Sequence, residues 1–234
     1  PPQGGYMAMK IAHRAKCPCI YKVLDLYPDC AATLGRTRQG SFVYKRWLKR
    51  DTAVMADAAR VVTICDAMRQ RIVENRNLPA NRVAAIHDGF DASKLRWTGE
   101  NEFARRHNPQ GRFVVQYAGN MGLSHPFGTI VEAARTLRND SDILFQFIGD
   151  GPSRSTLADD LPPGAQLLDF QPPQVLGQVL AAADICLISQ HQGMFDQALP
   201  YKVYAILAAG KPCIFIGHGR SEIAQWLTTS GAGL

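Results

Sequence analysis

From Arg112 to the end of the chain, short apolar runs alternate with amphipathic stretches, and that pattern specifies a parallel sheet covered by helices on both faces. Phe113–Tyr117, Ile143–Ile148, Ala165–Phe170, Ile185–Ser189 and Cys213–Ile216 read as buried strands. Gly128–Leu137, Val175–Ala183, Tyr201–Ala209 and Ser221–Thr229, with a further stretch ending at Leu161, read as helices. Five such strands in roughly 120 residues match one doubly wound domain.

The first half follows the same plan with fewer parts. Ile20–Leu24 reads as a strand running into Asp25-Leu26-Tyr27-Pro28-Asp29. A basic helix over Phe42–Ala56, a strand at Arg60–Ile64, a helix over Asp66–Glu74 and a strand at Val83–Ile86 follow. Three strands are few for a free-standing doubly wound sheet. The reading is therefore an α/β chain with an incomplete first domain (1–107, including a linker at Asp91–Gly111) and a second domain at 108–234. The chain opens at Pro1 without a methionine and stops just after Gly231-Ala232-Gly233, so both ends are expected to be cut. Charge divides the same way: residues 1–107 carry +9 and residues 108–234 carry −3, of a net +6. A basic half beside an acidic half suggests two domains with different partners, the basic one facing nucleic acid, anionic lipid or a phosphorylated substrate.

Several classes are disfavoured at once. No apolar run is long enough to cross a membrane, and PPQGGYMAMK has no signal-peptide core. Of six cysteines only Cys17 and Cys19 lie close together, a poor zinc pattern, so reduced thiols and no metal are expected. No Gly-x-Gly-x-x-Gly follows the first strand of either half, against a dehydrogenase. The aromatics of the basic half do not interleave with its cations, against nucleic acid as a partner.

In open α/β sheets ligands bind beyond the carboxyl ends of the strands, which nominates the loops Gly119–Pro126, Gly149–Pro152 and Gln190–Lys202. Gly119 and Gly122 let backbone approach a phosphate closely, or simply turn the chain. Pro200-Tyr201-Lys202 opens a helix with a lysine in its first turn, where a cation opposes the helix dipole unless an anion shares the site. Lys202 therefore reads as a phosphate ligand, and His125 could donate to the same anion.

Taken in order, these residues resemble a known family. Tyr117-Ala118-Gly119-Asn120-Met121-Gly122 with His125, Phe147-Ile148-Gly149-Asp150-Gly151, Ala181-Ala182-Ala183-Asp184, Pro200-x-Lys202-x-Tyr204, Ala208-Ala209-Gly210-Lys211-Pro212 and Ser221-Glu222-Ile223-Ala224 resemble family 4 of the retaining glycosyltransferases. The first half agrees, with Asp25-x-Tyr27-Pro28-Asp29, Val62-Thr63-Ile64-Cys65-Asp66-Ala67-Met68 and Ile86-His87-Asp88-Gly89-Phe90-Asp91. The nearest likeness is to the bacterial branch that builds O-antigen, colanic acid and other exopolysaccharides. Where many members carry two glutamates with seven residues between them, this chain has Gln197 and Ala205. Where the branch has Gly-x-Glu-Gly, it reads Gly193-Met194-Phe195-Asp196.

The resemblance implies a GT-B architecture of two Rossmann-like domains, the second holding a nucleotide-diphosphate sugar as co-substrate and the first shaping the acceptor site. It implies transfer with retention, no cofactor and no bound metal. The acceptor would be a glycan or a polyprenyl-diphosphate-linked glycan, and the protein would be cytoplasmic, at the inner face of the membrane. Lys202 and His125 would face the diphosphate, Pro200 would set the loop before the lysine, and Gly119, Asn120 and Gly122 would give close backbone approach. Gln171 would lie on the nucleoside side. Asp25 is the one candidate base, or else a structural residue of the Tyr27-Pro28 turn. Lys45-Arg46-Trp47-Leu48-Lys49-Arg50 could rest on anionic headgroups as a peripheral membrane contact. A GT-B-fold epimerase and a non-catalytic nucleotide-binding fragment are the rival readings.

Overall fold

The structure, a computed structural model, describes residues 2–95 and 100–234. By their contacts they form two compact units, Pro1–Asp88 with Gln192–Leu199 and Arg220–Glu222, and Gly89–His191 with Pro200–Gly219 and Ile223–Leu234.

In the first unit the order is α1 (Pro2–Ala15), β1 (Ile20–Val23), α2 (Asp29–Thr33), α3 (Phe42–Asp57), β2 (Arg60–Thr63), α4 (Asp66–Arg76) and β3 (Val83–Ala85). The three strands are parallel in the order β1-β2-β3, with Val23 beside Thr63 and Thr63 beside Ala85. The Ser41 hydroxyl caps α3 by accepting from the Tyr44 amide at 3.2 Å, and Asn77 ends α4 in the left-handed conformation. Val23, Val54, Met55, Val61, Met68 and Ile72 form the buried interior. Helix α1 has no counterpart in the sequence reading, because its opening Pro-Gln-Gly-Gly is poor helix-forming sequence. Packing supplies what propensity lacks: Met9 and Ala12 are buried, and a Cβ on Gly5 would stand 2.9 Å from the Tyr21 ring.

The second unit contains α5 (Glu102–His107), β4 (Phe113–Ala118), α6 (Gly128–Thr136), β5 (Ile143–Ile148), α7 (Arg154–Asp159), β6 (Gln166–Leu168), α8 (Leu176–Ala181), β7 (Ile185–Ser189), α9 (Lys202–Ala208) and β8 (Cys213–Ile216). A final helix, α10 (Glu222–Ser230), runs on from the first unit's Glu222. All five strands are parallel, in the order β6-β5-β4-β7-β8. The strands stand where the apolar runs placed them, though the third shrinks to three residues. The expected helix over Val175–Ala183 is a 3-10 turn at Pro173–Val175 followed by α8. Pro172 and Pro173 stand at the start of that turn, where a missing backbone N–H costs nothing. The stretch expected as a linker carries a 3-10 turn over Ala92–Leu95 and then α5, and its residues 96–99 lie outside the described residues.

One face of the second sheet packs Tyr117, Phe127 and Phe147 edge to face, at 4.8 and 6.0 Å between centroids, with Ile130 and Leu187. Three glutamines in register, Gln116, Gln146 and Gln166, run across β4, β5 and β6 as a hydrogen-bonded ladder at 3.3 and 3.0 Å. Gln116 also donates to the Val179 carbonyl and Gln166 to that of His107, so the amide nitrogens of this polar row are satisfied inside the fold. Asp184 accepts from the Val114 amide at 2.7 Å, and Lys211 donates to the carbonyls of Ala181 and Ala183. Those two motif residues are structural.

Candidate functional site

The strand order reverses direction between β4 and β7, and at such a point the loops leaving two adjacent strands diverge to form a crevice. The loop after β4 is held by the loop after β5. Gly119 N donates to Ile148 O (2.9 Å), Met121 N to Asp150 O (2.8 Å) and Ser153 N to Met121 O (2.9 Å). This contact is so close that a Cβ on Gly149 would stand 1.9 Å from the Gly119 carbonyl oxygen. One on Gly151 would stand 2.7 Å from Asn120 Oδ1 and Met121 O. Both residues have strongly positive φ, at +143° and +146°, so glycine is required twice over. The loop after β7 is tied to the same place by His191 N, which donates to Ser124 O at 2.8 Å.

Lys202 is the first residue of α9, and its side chain crosses over Gly119, Cε lying 3.3 Å from where a Cβ would be. Its stem is partly exposed, but the ammonium is buried and has no hydrogen-bond partner among the described residues. It rests 3.4 Å from the centroid of the Tyr117 ring. Burial lowers its pKa to about 7, opposed by the nearby Cys213 and Cys186 thiols. A buried, unpaired ammonium is costly, and an anion is the natural partner to offset that cost.

His125 stands beside it. Its Nδ1 lies 2.7 Å from the Ser189 carbonyl oxygen at the end of β7. A carbonyl only accepts, so Nδ1 carries the proton and neutral His125 presents a lone pair at Nε2. Burial first, then the neighbouring Lys202, push its pKa down to about 4. As an imidazole it can accept a hydrogen bond from a ligand, and it must gain a proton before it can donate one.

Thus Gly119, Gly122, His125 and Lys202 come together, with Asn120 at the loop's exposed corner, its carbonyl accepting from the Tyr117 hydroxyl at 2.7 Å. Pro200 is buried just ahead of α9. Gln171 is apart from this group, on the loop after edge strand β6, with its amide folded onto the Asp169 carbonyl at 2.8 Å. Sequence reasoning missed Arg154, the first residue of α7. It donates to the Gly149 carbonyl at 3.2 Å and pairs with Asp169 at 2.6 Å, joining the loops after β5 and β6. The signal was the one that found Lys202, a cation opening a helix behind a glycine-bearing loop.

In the first unit Asp25 follows β1, exposed, with no hydrogen-bond partner among the described residues. Surrounding protein still desolvates its carboxyl enough to raise the pKa. The Tyr27-Pro28 turn is instead anchored by Asp29, which receives Arg71 at 2.8 Å and Arg76. Gln197 is buried: its Nε2 donates to Gly193 O at 2.8 Å, and its Oε1 accepts from Thr33 at 3.0 Å. Phe195 lies under the Arg220 guanidinium, 4.8 Å from the ring centroid. Asp66, His87 and Glu222 bring one possible metal-ligand atom each within 4.8 Å of one another. Glu222 is already engaged there, accepting from the Asp66 and Ala67 amides at the start of α4 and meeting His87 Nε2 at 2.7 Å. The cluster is explained as a helix cap.

No protein-family model matches the chain. It is similar to WbjE of Pseudomonas aeruginosa, a protein named as a glycosyltransferase, with 25% identity over 92% of this chain and 54% of that protein. A second relative, WcaI of Escherichia coli K12, is named as a glycosyl transferase of colanic acid biosynthesis. It is 25% identical over 72% of this chain and 43% of its own length, so the chain spans about half the length of these relatives. Among solved structures it resembles Anabaena HepE in complex with UDP and glucose, at 14% identity and a TM-score of 0.71, over 95% of this chain and 59% of that one. The fold is the α/β fold of the GT-B glycosyltransferases, built on parallel Rossmann-like sheets.

Proposed function

We propose that the chain is part of a glycosyltransferase of bacterial cell-surface polysaccharide synthesis, and that its second unit binds the diphosphate of a nucleotide-sugar. One observation carries the reading. Where the loops after β4 and β7 diverge, a glycine-rich turn, a neutral histidine and a buried ammonium without an anion converge among the described residues. The likeness to proteins named as glycosyltransferases, and to a structure holding UDP and glucose, supports it.

In this reading Lys202 opposes the charge that grows on the departing diphosphate. Such preorganised electrostatics supplies much of the rate in reactions of this kind. Close backbone approach at Gly119, Asn120 and Gly122 adds donors, Pro200 fixes the entry to α9, and Gln171 with the β6 loop meets the nucleoside. Transfer proceeds with retention and without a metal. Asp25, an unpartnered carboxylate with a raised pKa, is the proposed catalytic base of the first unit. The acceptor is a glycan, carried on a polyprenyl diphosphate at the cytoplasmic face of the membrane. No helix among the described residues is long and apolar enough to cross a membrane. The basic face of α3, with Lys45, Arg46, Lys49 and Arg50 exposed, would make a peripheral contact. A narrower reading, binding without transfer, is supported by Gln197, whose side chain is wholly occupied inside the first unit.

Calorimetry with UDP, GDP and ADP tests the proposal. Micromolar binding of one diphosphate, weakened about tenfold or more in Lys202→Ala (roughly 1.4 kcal/mol), is expected. A folded protein that binds none of the three, or binds one equally well without the lysine, overturns it.

A further inference from the structure

Resting on that nucleotide-binding reading, we propose that the second unit takes up its diphosphate together with one proton, and that the proton goes to Lys202 and not to His125. The argument begins with what faces the Lys202 amine. From β4 comes the Tyr117 ring, its hydroxyl held by the Asn120 carbonyl and its ionisation pushed up by burial. From β7 and β8 come Cys186 and Cys213, which are register partners. Burial pushes both thiols up to about 12, so neither is an anion at neutral pH. From the loop after β4 comes the His125 ring. Among the described residues no carboxylate pairs with Lys202, and its nitrogen has no hydrogen-bond partner. Among those residues, little therefore favours the ammonium over the amine except the face of one aromatic ring.

An arriving diphosphate reverses that balance. A multiply charged anion within a few ångströms in a poorly hydrated site favours the cation strongly, so the amine is protonated as the ligand binds. His125 cannot share this role. Its Nδ1–H is spent on the Ser189 carbonyl, and a proton at Nε2 would place a second cation beside Lys202 in the same desolvated space. The imidazole stays neutral, and its open Nε2 is an acceptor suited to a hydroxyl. A nucleotide-sugar carries such hydroxyls and inorganic diphosphate does not.

Proton counting tests this directly. Calorimetry of UDP, GDP and ADP in buffers of different ionisation enthalpy reports protons taken up per ligand bound. At about pH 8 the terminal phosphate is already ionised, since its second pKa is near 6. Uptake should approach one proton there and fall toward zero by about pH 6, with affinity weakening up to tenfold for each unit above 7. Lys202→Arg, which is always charged, should bind without uptake, and His125→Gln should lower affinity while leaving uptake intact. Wild-type binding with no uptake, or uptake lost in His125→Gln, overturns the inference while leaving the nucleotide reading standing. If none of the three nucleotides binds, that reading fails first, and a ligand-free measurement still decides the lysine. Between pH 7 and the lysine's unfolded value only the unfolded chain holds this proton, so wild-type stability gains on that of Lys202→Met across the window. A stability difference that stays flat from about pH 7 to 10 overturns the inference.

Discussion

The two units treat buried cations in opposite ways. In the first, Arg76 is buried among Asp29, Asp51 and the Tyr27 carbonyl, and Arg71 spans Asp29 and Asp196 at 2.8 Å each. Both guanidiniums are met by carboxylates from the protein itself. In the second, Lys202 is buried on an aromatic face with no anion paired to it among the described residues. A charge neutralised within the fold holds the fold together. A charge left without a partner weakens the fold and is informative about a ligand. The difference separates a structural network from a candidate binding site without reference to any relative.

Arg76→Met is the severest way to test the contrast. It strands Asp29 and Asp51 in the interior, and breaking a buried pair in this manner costs about 3–5 kcal/mol. Denaturant unfolding should show that loss, and a variant as stable as the wild type would erase the distinction between the units. Gly149→Ala comes next. A methyl 1.9 Å from the Gly119 carbonyl at φ +143° must push the two loops apart, costing on the order of 3 kcal/mol. Because Gly119 lies under Lys202, nucleotide affinity should fall as well, though no ligating side chain has changed. Lys202→Met is smaller and opposite in sign. The wild-type pKa is depressed, so below about pH 7 the folded state carries an unfavourable buried charge that methionine lacks. The variant should gain roughly 1 kcal/mol, about 2–4 °C in Tm for a chain this long, while losing the nucleotide. A lower Tm would mean that the ammonium is already well paired in the free protein.

How far the sequence foretold this contrast differs between the units for physical reasons. Strands β4, β5, β7 and β8 were legible because a strand buried on both faces must be a nearly continuous apolar run. The loops that follow them were legible as candidates because parallel topology opens a crevice at the carboxyl ends of the strands. Lys202 was legible from one local conflict, a cation at a helix start. The Gln116–Gln146–Gln166 ladder was not, since lone polar residues in three strands show no sign of being in register until the sheet is assembled. Helix α1 was hidden because packing, not propensity, makes it. Gln197 was read as a missing carboxylate, and its bonds to Thr33 and Gly193 depend on contacts 164 residues apart in one case and four in the other. Asp29 was named only as the last residue of the Asp25-x-Tyr27-Pro28-Asp29 motif, with no role, because two aspartates four residues apart are equivalent until a fold brings Arg71 and Arg76 to one of them.

Asp51 offers the finest test, since within the paired network it is the weakly paired member. Arg76 approaches it only at 3.4 Å through Nε, while the same guanidinium is closer to Asp29. Desolvation therefore outweighs the arginine, and the Asp51 carboxyl rises to about 6. An ion pair on its own would have lowered it, so the shift agrees with the long contact to Arg76. Because the folded value lies above the unfolded one, the folded state binds the extra proton between about pH 4 and 6. Stability from this group is greatest in acid and declines as pH rises through that window. Asp51→Asn should flatten that part of the stability profile and change stability at neutral pH by less than about 1 kcal/mol. The same substitution at Asp29 should cost several times as much, because a neutral amide there would leave Arg71 and Arg76 short of charge together. Equal losses at the two positions would mean that the network shares its charge evenly, and that the first unit's cations are paired collectively and not one by one.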